Sequence, residues 1–128
     1  MMFDFDEWHG NGPVPAHQHS NGGGWVAETA KVANTAFVGA DARVFGNAKV
    51  FDNVRLSGDA AVSGDARISG DAEISGNVKI FGNAIVSGEA KIYGDTWVSG
   101  NAWVSGKTKI YGDTWVSGDA IVSGRKCI

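Results

Sequence analysis

The chain has 128 residues, enough for one domain, and a formal net charge of −3 at pH 7. That charge gives no bulk electrostatic reason to expect a nucleic-acid duplex or a membrane surface as a partner. One cysteine cannot form a disulfide within the chain, and the acidic start lacks a signal-peptide pattern, so the sequence predicts a cytoplasmic protein.

Residues 1–20 form the first predicted unit, a short irregular segment that precedes the repeat. Its aromatic residues and prolines are Phe3, Phe5, Trp8, Pro13 and Pro15. Such residues ahead of a repeat array are expected to fold over the first coil as a cap, because a coil end exposes unpaired strand edges. His17 and His19 lie on one side of this segment, but two imidazoles make a weak metal motif, and we expect no metal or cofactor.

Residues 21–128 form the second unit, an uninterrupted series of 18 six-residue words, most often Ser-Gly-Asp-Ala-x-Val or its isoleucine form. The fourth and sixth places are small or aliphatic, whereas the fifth place and the next first place are mostly polar. This alternation is typical of a short strand with one buried face. Glycine followed by Asp or Asn tolerates the backbone angles of a corner. Each word therefore predicts one strand and one corner.

A second period gives the number of strands in a coil. The ten residues 91–100 recur identically at 109–118, an offset of 18, which is three words. We therefore predict an all-β parallel β-helix shaped as a triangular prism of about six coils, in which residues eighteen apart are stacked. The last word has Lys126 where a small inward residue belongs, which suggests a block to further stacking at that end.

These words resemble the hexapeptide repeats of the left-handed parallel β-helix superfamily, which includes acyltransferases and gamma-class carbonic anhydrases. The stretch from Asn21 to Ala30, after His19, is similar to the lead-in of uncharacterised bacterial and phage members. The resemblance implies a left-handed helix and a homotrimer. The enzymes of this superfamily use histidines on the coil or on inserted loops, whereas this chain has no histidine after residue 19 and no long insertion. We therefore expect no enzymatic activity.

The fifth places of the words define three faces of the prism. The first face carries Trp25, Arg43, Ala61, Lys79, Trp97 and Trp115. The second face carries Lys31, Lys49, Arg67, Ile85, Trp103 and Ile121. The third face carries Phe37, Arg55, Glu73, Lys91, Lys109 and Cys127. The third face has the alternating charges of a solvated sheet, while the other two become apolar toward the C-terminus.

The apolar ends of the first two faces predict self-association. Their residues are Ile85, Trp97, Trp103, Trp115 and Ile121, here called the C-terminal apolar patch. A contiguous patch of this kind is typical of a buried subunit interface, although single aromatic residues on a monomer surface are the plain alternative.

A ligand site is predicted where the small residues Ala61 and Ser63 leave a notch between two levels of cations and aromatic rings. Its residues on the first face are Arg43, Phe45, Ser63, Lys79 and Phe81, and a neighbouring subunit would add Lys49, Phe51 and Arg67. Rings that stack beside cations suit a flat, anionic, nucleotide-like molecule. The alternative is that the cations lie along the sheet and pair with corner carboxylates of another copy.

The expected function is thus the capture or sequestration of a small anionic ligand by a non-enzymatic homotrimer. A structural or assembly module without a ligand is the first alternative. A degenerate acyltransferase is the second, and the absence of a coil histidine argues against it.

Overall fold

The computed structural model describes the backbone of residues 2–3 and 14–122, and the side chains of residues 16–122. The expectations for Phe5, Trp8, Lys126 and Cys127 lie outside these residues. The strands of the described part, in chain order, are β1 (Met2–Phe3), β2 (Val14–Gln18), β3 (Trp25–Ala27), β4 (Lys31–Val32), β5 (Phe37–Val38), β6 (Arg43–Val44), β7 (Lys49–Val50), β8 (Arg55–Leu56), β9 (Ala61–Val62), β10 (Arg67–Ile68), β11 (Glu73–Ile74), β12 (Lys79–Ile80), β13 (Ile85–Val86), β14 (Lys91–Ile92), β15 (Trp97–Val98), β16 (Trp103–Val104), β17 (Lys109–Ile110), β18 (Trp115–Val116) and β19 (Ile121–Val122).

The fold is a parallel β-solenoid of about five turns, in which every third strand from β3 onward belongs to the same sheet. The first face is the sheet β3-β6-β9-β12-β15-β18, the second is β4-β7-β10-β13-β16-β19, and the third is β5-β8-β11-β14-β17. Five complete sets of three strands are followed by β18 and β19. The predicted prism of three sheets around one core is confirmed.

The register of the sheets is the 18-residue offset seen in the sequence. Arg43 pairs with Ala61, and Lys49 pairs with Arg67, as direct Cα partners in neighbouring strands. The same offset holds for Lys91 and Lys109 on the third face. Residues eighteen apart are therefore stacked, at the spacing of about 4.8 Å between hydrogen-bonded strands.

The core is a single column of inward side chains from the fourth and sixth places of the words. Leu56, Ile68, Ile74, Ile80 and Ile92 are among its largest fully buried side chains. Burial of such a side chain contributes about 1.5–3 kcal/mol before the loss of chain entropy is subtracted. Since each coil contacts its neighbours only, the stability of the solenoid accumulates from coil to coil.

Threonine replaces alanine at three fourth places, where a hydroxyl faces the core. Thr96 donates to the carbonyl of Tyr93 at 3.0 Å, and Thr108 donates to the carbonyl of Ser105 at 2.7 Å. Thr114 makes the same bond across its own corner. At the buried Thr96 and Thr108 these bonds satisfy hydroxyls that would otherwise be costly to bury.

The corners use left-handed backbone angles, as the glycines of the words predict. Gly64 has φ of 65°, and a Cβ at that position would lie 2.9 Å from the backbone nitrogen of Gly82 in the next coil. Asp52 takes the same conformation, φ 60°, and its carboxylate accepts a hydrogen bond of 3.0 Å from the backbone N–H of Gly70. Glycine thus serves both the backbone angle and the close approach of stacked corners.

Part of the N-terminal segment extends the first sheet. Strand β2 pairs antiparallel with β3, and β1 pairs antiparallel with β2. The segment that follows β2 lies against β5, where the N–H of Gly24 donates to the carbonyl of Val38 and the N–H of Val38 donates to the carbonyl of Asn21, both at 2.9 Å. The N-terminal residues therefore pair with strand edges of the first coil on two faces.

Candidate functional site

Aromatic residues eighteen apart form direct stacks on the outer surface. The rings of Trp97 and Trp115 have centroids 4.8 Å apart and planes 2° apart. Tyr93 and Tyr111 stack in the same way on the edge of the third face, at 5.4 Å and 11°. The sequence repeat thus produces contiguous aromatic columns.

The first-face residues of the predicted ligand site lie in three consecutive coils. Arg43, Ala61 and Lys79 are stacked in that order. The ammonium of Lys79 lies 5.4 Å from the ring centroid of Trp97, a cation–π distance, and the ring of Phe81 makes a T-shaped contact with the same indole at a centroid distance of 5.8 Å. Lys79 and Phe81 therefore contact the C-terminal apolar patch as well as the notch.

The floor of the predicted notch is already covered. Phe45 and Ser63 are only 5% and 2% exposed, and Phe45 clusters with the buried side chain of Ala61. On the first face a ligand can therefore reach the partly exposed Arg43, Lys79 and Phe81, whereas the notch between them is filled.

Arg43 lies in a shallow groove of about 390 Å³, together with Trp25 and the corner carboxylates Asp41 and Asp59. Its Nε is buried and has no hydrogen-bond partner within the described part of the chain. Two carboxylates beside one guanidinium lower the local potential, so this groove would bind an anion only with additional cations, such as those of a neighbouring subunit.

The second face holds the other half of the predicted site in a more open arrangement. Lys31, Lys49 and Arg67 are stacked in three consecutive strands. Among residues 16–122, none of the three forms an ion pair. Like charges stacked in this way repel one another, so an external anion would stabilise the row.

A groove of about 310 Å³ runs along this cationic row. It is lined by Asn47, Lys49, Asp65, Arg67, Asn83 and Ile85. Phe51 is exposed at the next outward position after Lys49, but it does not line this groove. Two cations, one carboxylate and two carboxamides give the groove a net positive charge with neutral hydrogen-bonding groups on its rim.

The C-terminal apolar patch begins where the cationic row of the second face ends. Ile85 pairs with both Arg67 and Trp103, so charge gives way to apolar surface within one sheet. Trp103 is 50% exposed, Trp115 68% and Ile121 69%. Such clustering on adjacent faces exceeds the scattered apolar residues of an ordinary surface.

Amide side chains connect the acidic corners of neighbouring coils. Asn77 donates to the carboxylate of Asp95 at 3.0 Å, and Asn101 donates to that of Asp119 at 3.2 Å. Asn83 donates in turn to the amide oxygen of Asn101. Asparagine thus both dilutes the negative charge of the corners and bonds one coil to the next.

The two described histidines have local partners. The Nδ1 of His17 lies 2.7 Å from a carboxylate oxygen of Glu28, and the buried ring of His19 donates through Nε2 to the carbonyl of Ala36 at 2.8 Å. Within the described residues no group of three or more His, Cys, Asp or Glu side chains has the geometry to hold a metal ion. His19 thus bonds the N-terminal segment to the first coil.

Sequence reasoning missed a groove on the third face, near the first coil. It has a volume of about 440 Å³ and is lined by Asn21, Thr35, Phe37, Asn53, Arg55 and Ser57. The signal was present in the sequence, because Phe37 and Arg55 are eighteen apart and each is followed two residues later by a small residue, Gly39 or Ser57.

Comparison with known proteins found no matching family model, no matching curated protein and no matching solved structure. In the described part of the chain, no helix has the length and apolar character needed to cross a bilayer. The function is therefore argued from the surface itself.

Proposed function

We propose that the chain is a non-enzymatic binding protein, a left-handed homotrimeric β-helix of the hexapeptide-repeat type that captures a small anionic, nucleotide-like ligand in clefts between subunits. The observation that supports this most is the division of the second face. Three stacked cations, Lys31, Lys49 and Arg67, are followed in the same sheet by Ile85, Trp103 and Ile121. One half suits an anion, and the other suits another subunit.

Self-association follows from the cost of exposed apolar surface. Burial of an indole or a large aliphatic side chain stabilises a complex by about 1.5–3 kcal/mol, before the cost of association is subtracted. Trp103, Trp115 and Ile121 are each at least half exposed in the single chain. A three-fold arrangement would bring the apolar end of one chain's second face against the first face of the next.

The same arrangement places the cationic halves of the two faces opposite each other. Arg43, Lys79 and Phe81 of one subunit would then face Lys49, Phe51 and Arg67 of its neighbour. A phosphate between them would receive charge-assisted hydrogen bonds, and a flat base would stack on the phenylalanine rings.

Native mass spectrometry of the freshly expressed protein tests both parts of this proposal. We expect three copies of the chain and, where a ligand is retained, added mass that is lost on denaturation. Trp103→Glu should yield monomers, whereas Tyr111→Glu, which changes a side chain of 45% exposure on the third face, should leave the trimer intact. A monomeric parent protein would overturn the intersubunit cleft.

Ligand capture is tested separately by thermal shift with AMP, ADP and ATP. Replacing Lys49 and Arg67 together by alanine should abolish the shift. The control pair replaces Lys91 and Lys109 by alanine, which removes the same charge from stacked positions of the third face and should leave the shift unchanged. If the trimer forms and neither the parent nor the control pair responds to any of the three nucleotides, capture of a nucleotide-like ligand is wrong.

An assembly module without a ligand is the second candidate. Within residues 2–122, strand β18 ends the order of the first sheet, and the ring of Trp115 stacks on Trp97 from one side. An open strand edge of this kind can pair with another copy end to end. Filaments in electron micrographs, together with no response to nucleotides, would favour this candidate.

A further inference from the structure

The third-face groove combines one aromatic ring, one cation and several neutral hydrogen-bonding groups. Strands β5 and β8 pair so that Arg55 lies directly beside Phe37 in the sheet. Asn53 and Thr35 border this pair on one side, Ser57 borders it on the other, and Asn21 closes the groove at its N-terminal end. A volume of about 440 Å³ lies within the range of about 300–1,000 Å³ for small-molecule sites.

Two glycines make room for the ring of Phe37. A Cβ on Gly22 would lie 3.1 Å from Cε1 of Phe37, and a Cβ on Gly39 would lie 3.4 Å from its Cε2. At Gly22 the added atom would also clash with the carbonyl oxygen of Val38, so backbone as well as ring would have to shift, whereas the distance at Gly39 is an ordinary contact. The ring is thus held between two backbone segments while 36% of the residue stays exposed to the groove and solvent.

The charge of this groove differs from that of the two other grooves. The grooves on the first and second faces each include at least one aspartate, whereas the residues lining this one include no carboxylate. Glu73 is the strand partner of Arg55, yet Arg55 forms no ion pair within the described residues. A single unpaired guanidinium favours a ligand with one negative charge and two oxygens in a plane, which is a carboxylate.

The neutral groups specify the rest of the ligand. Thr35 donates its hydroxyl proton to the carbonyl of Asp52 at 2.5 Å, which leaves the hydroxyl oxygen free to accept. Asn53 donates weakly to Asp71 at 3.4 Å and keeps its amide oxygen and a second N–H. Carboxamides and hydroxyls that both donate and accept match the hydroxyl groups of a sugar.

We propose that the third-face groove binds a sugar acid, a monosaccharide unit that bears one carboxylate. Arg55 holds the carboxylate through paired N–H groups, Phe37 packs against the C–H face of the sugar ring, and Asn53, Thr35, Ser57 and Asn21 bond its hydroxyls. The C–H face carries partial positive charge and so complements the negative face of the aromatic ring. This site lies on a different sheet from the nucleotide cleft and within one chain, so it stands or falls independently of the proposed function.

Titration of the intact protein with D-glucuronate, followed by calorimetry or by ligand-observed NMR, tests the site. We expect saturable binding that weakens at least about tenfold for neutral methyl glucoside and for the exposed substitution Arg55→Gln, because each removes one partner of a charge-assisted pair. Phe37→Leu should weaken binding, and Lys109→Gln, which removes an exposed cation elsewhere on the third face, should leave it unchanged. Circular dichroism confirms that each variant is folded.

Three results would overturn the assignment. One is the absence of saturable binding of glucuronate, and another is equal binding by Arg55→Gln. The third is an Arg55-dependent affinity for AMP greater than that for glucuronate, which would make the groove a phosphate site.

Discussion

Trp97 and Trp115 lie face to face on the first face, with ring centroids 4.8 Å apart and an angle of 2° between their planes. They occupy the same place in two identical ten-residue stretches, so the contact is a direct product of the 18-residue period. Lys79 and Phe81 extend the stack toward the N-terminus through contacts with Trp97. One indole pair therefore joins the cationic and apolar halves of this face.

Trp115→Ala should remove this stack with a modest loss of stability. Aromatic pairs contribute about 0.5–1.5 kcal/mol beyond the area that they bury, and Trp115 is largely exposed. Urea unfolding measures the loss, and circular dichroism checks that the β signal is retained. A double-mutant cycle with Trp97→Ala isolates the contact, and the same cycle with Trp103→Ala is the control, because Trp103 belongs to another sheet. A coupling energy near zero between Trp97 and Trp115 would contradict the stacked geometry.

Two isoleucines of the second face separate the energetics of the core from those of the surface. Ile68 is fully buried, whereas Ile121 is 69% exposed. We expect Ile68→Ala to lower the free energy of unfolding by about 2–5 kcal/mol, since it leaves a cavity. Ile121→Ala should cost less than about 1 kcal/mol in a monomer and should weaken self-association.

Urea unfolding at low protein concentration measures the first effect for both variants. Sedimentation at several higher concentrations measures the second. Equal losses of monomer stability would mean that Ile121 is packed within its own chain.

The word structure allowed most of the fold to be predicted because each place in a word has one environment. The sixth places from Val38 to Val122 are buried, and the fifth places face outward, so period-two alternation was sufficient to separate core from surface. The offset of 18 then fixed the register, which Arg43 with Ala61 and Trp97 with Trp115 confirm. Because the words repeat, contacts between residues eighteen apart could be predicted from the sequence pattern.

Side-chain placement on the surface could not be predicted in the same way. Ser63 occupies an outward first place in its word, but it is 2% exposed, and Phe45 is buried rather than open to a ligand. Phe37 and Arg55 were interpreted as part of a solvated sheet, yet they line the largest of the three grooves described above. The 18-residue period predicts which residues are stacked in one column. The contacts of each side chain depend also on its rotamer and on the residues of the neighbouring columns.

Asn77→Asp should destabilise the fold through repulsion along one corner. Asn77 lies between Asp59 and Asp95 in the column of third places and donates to Asp95 at 3.0 Å. The substitution replaces that hydrogen bond with like charges on both sides, at a cost of about 0.5–2 kcal/mol. Because these carboxylates are exposed, added salt should recover much of the loss.

Asn83→Asp is the matched control for this charge effect. Its stacked neighbours are Asp65 and Asn101, so the new carboxylate meets one like charge instead of two. Thermal unfolding at low and high ionic strength compares the variants, and we expect the salt-dependent loss to be larger for Asn77→Asp. Equal and salt-independent losses would show that the lost hydrogen bond, and not the added charge, determines the loss of stability in both variants.

Two glycine corners separate the strain of the backbone angle from the effect of close stacking. Gly64 and Gly112 have φ of 65° and 77°, so an alanine at either position adopts a left-handed conformation at a cost of about 1–2 kcal/mol. At Gly64 the added methyl would also lie 2.9 Å from the backbone nitrogen of Gly82, whereas at Gly112 no atom of the described residues lies within 4 Å. We expect Gly64→Ala to lower the free energy of unfolding by a larger amount than Gly112→Ala, because the coil above must shift.

Urea unfolding of both variants measures the difference, and native-state hydrogen exchange should show weaker protection around Gly82 in Gly64→Ala alone. Since every stacked corner depends on the same approach of backbone to backbone, equal losses in the two variants would mean that the corners tolerate a side chain and that glycine is required there for its φ alone.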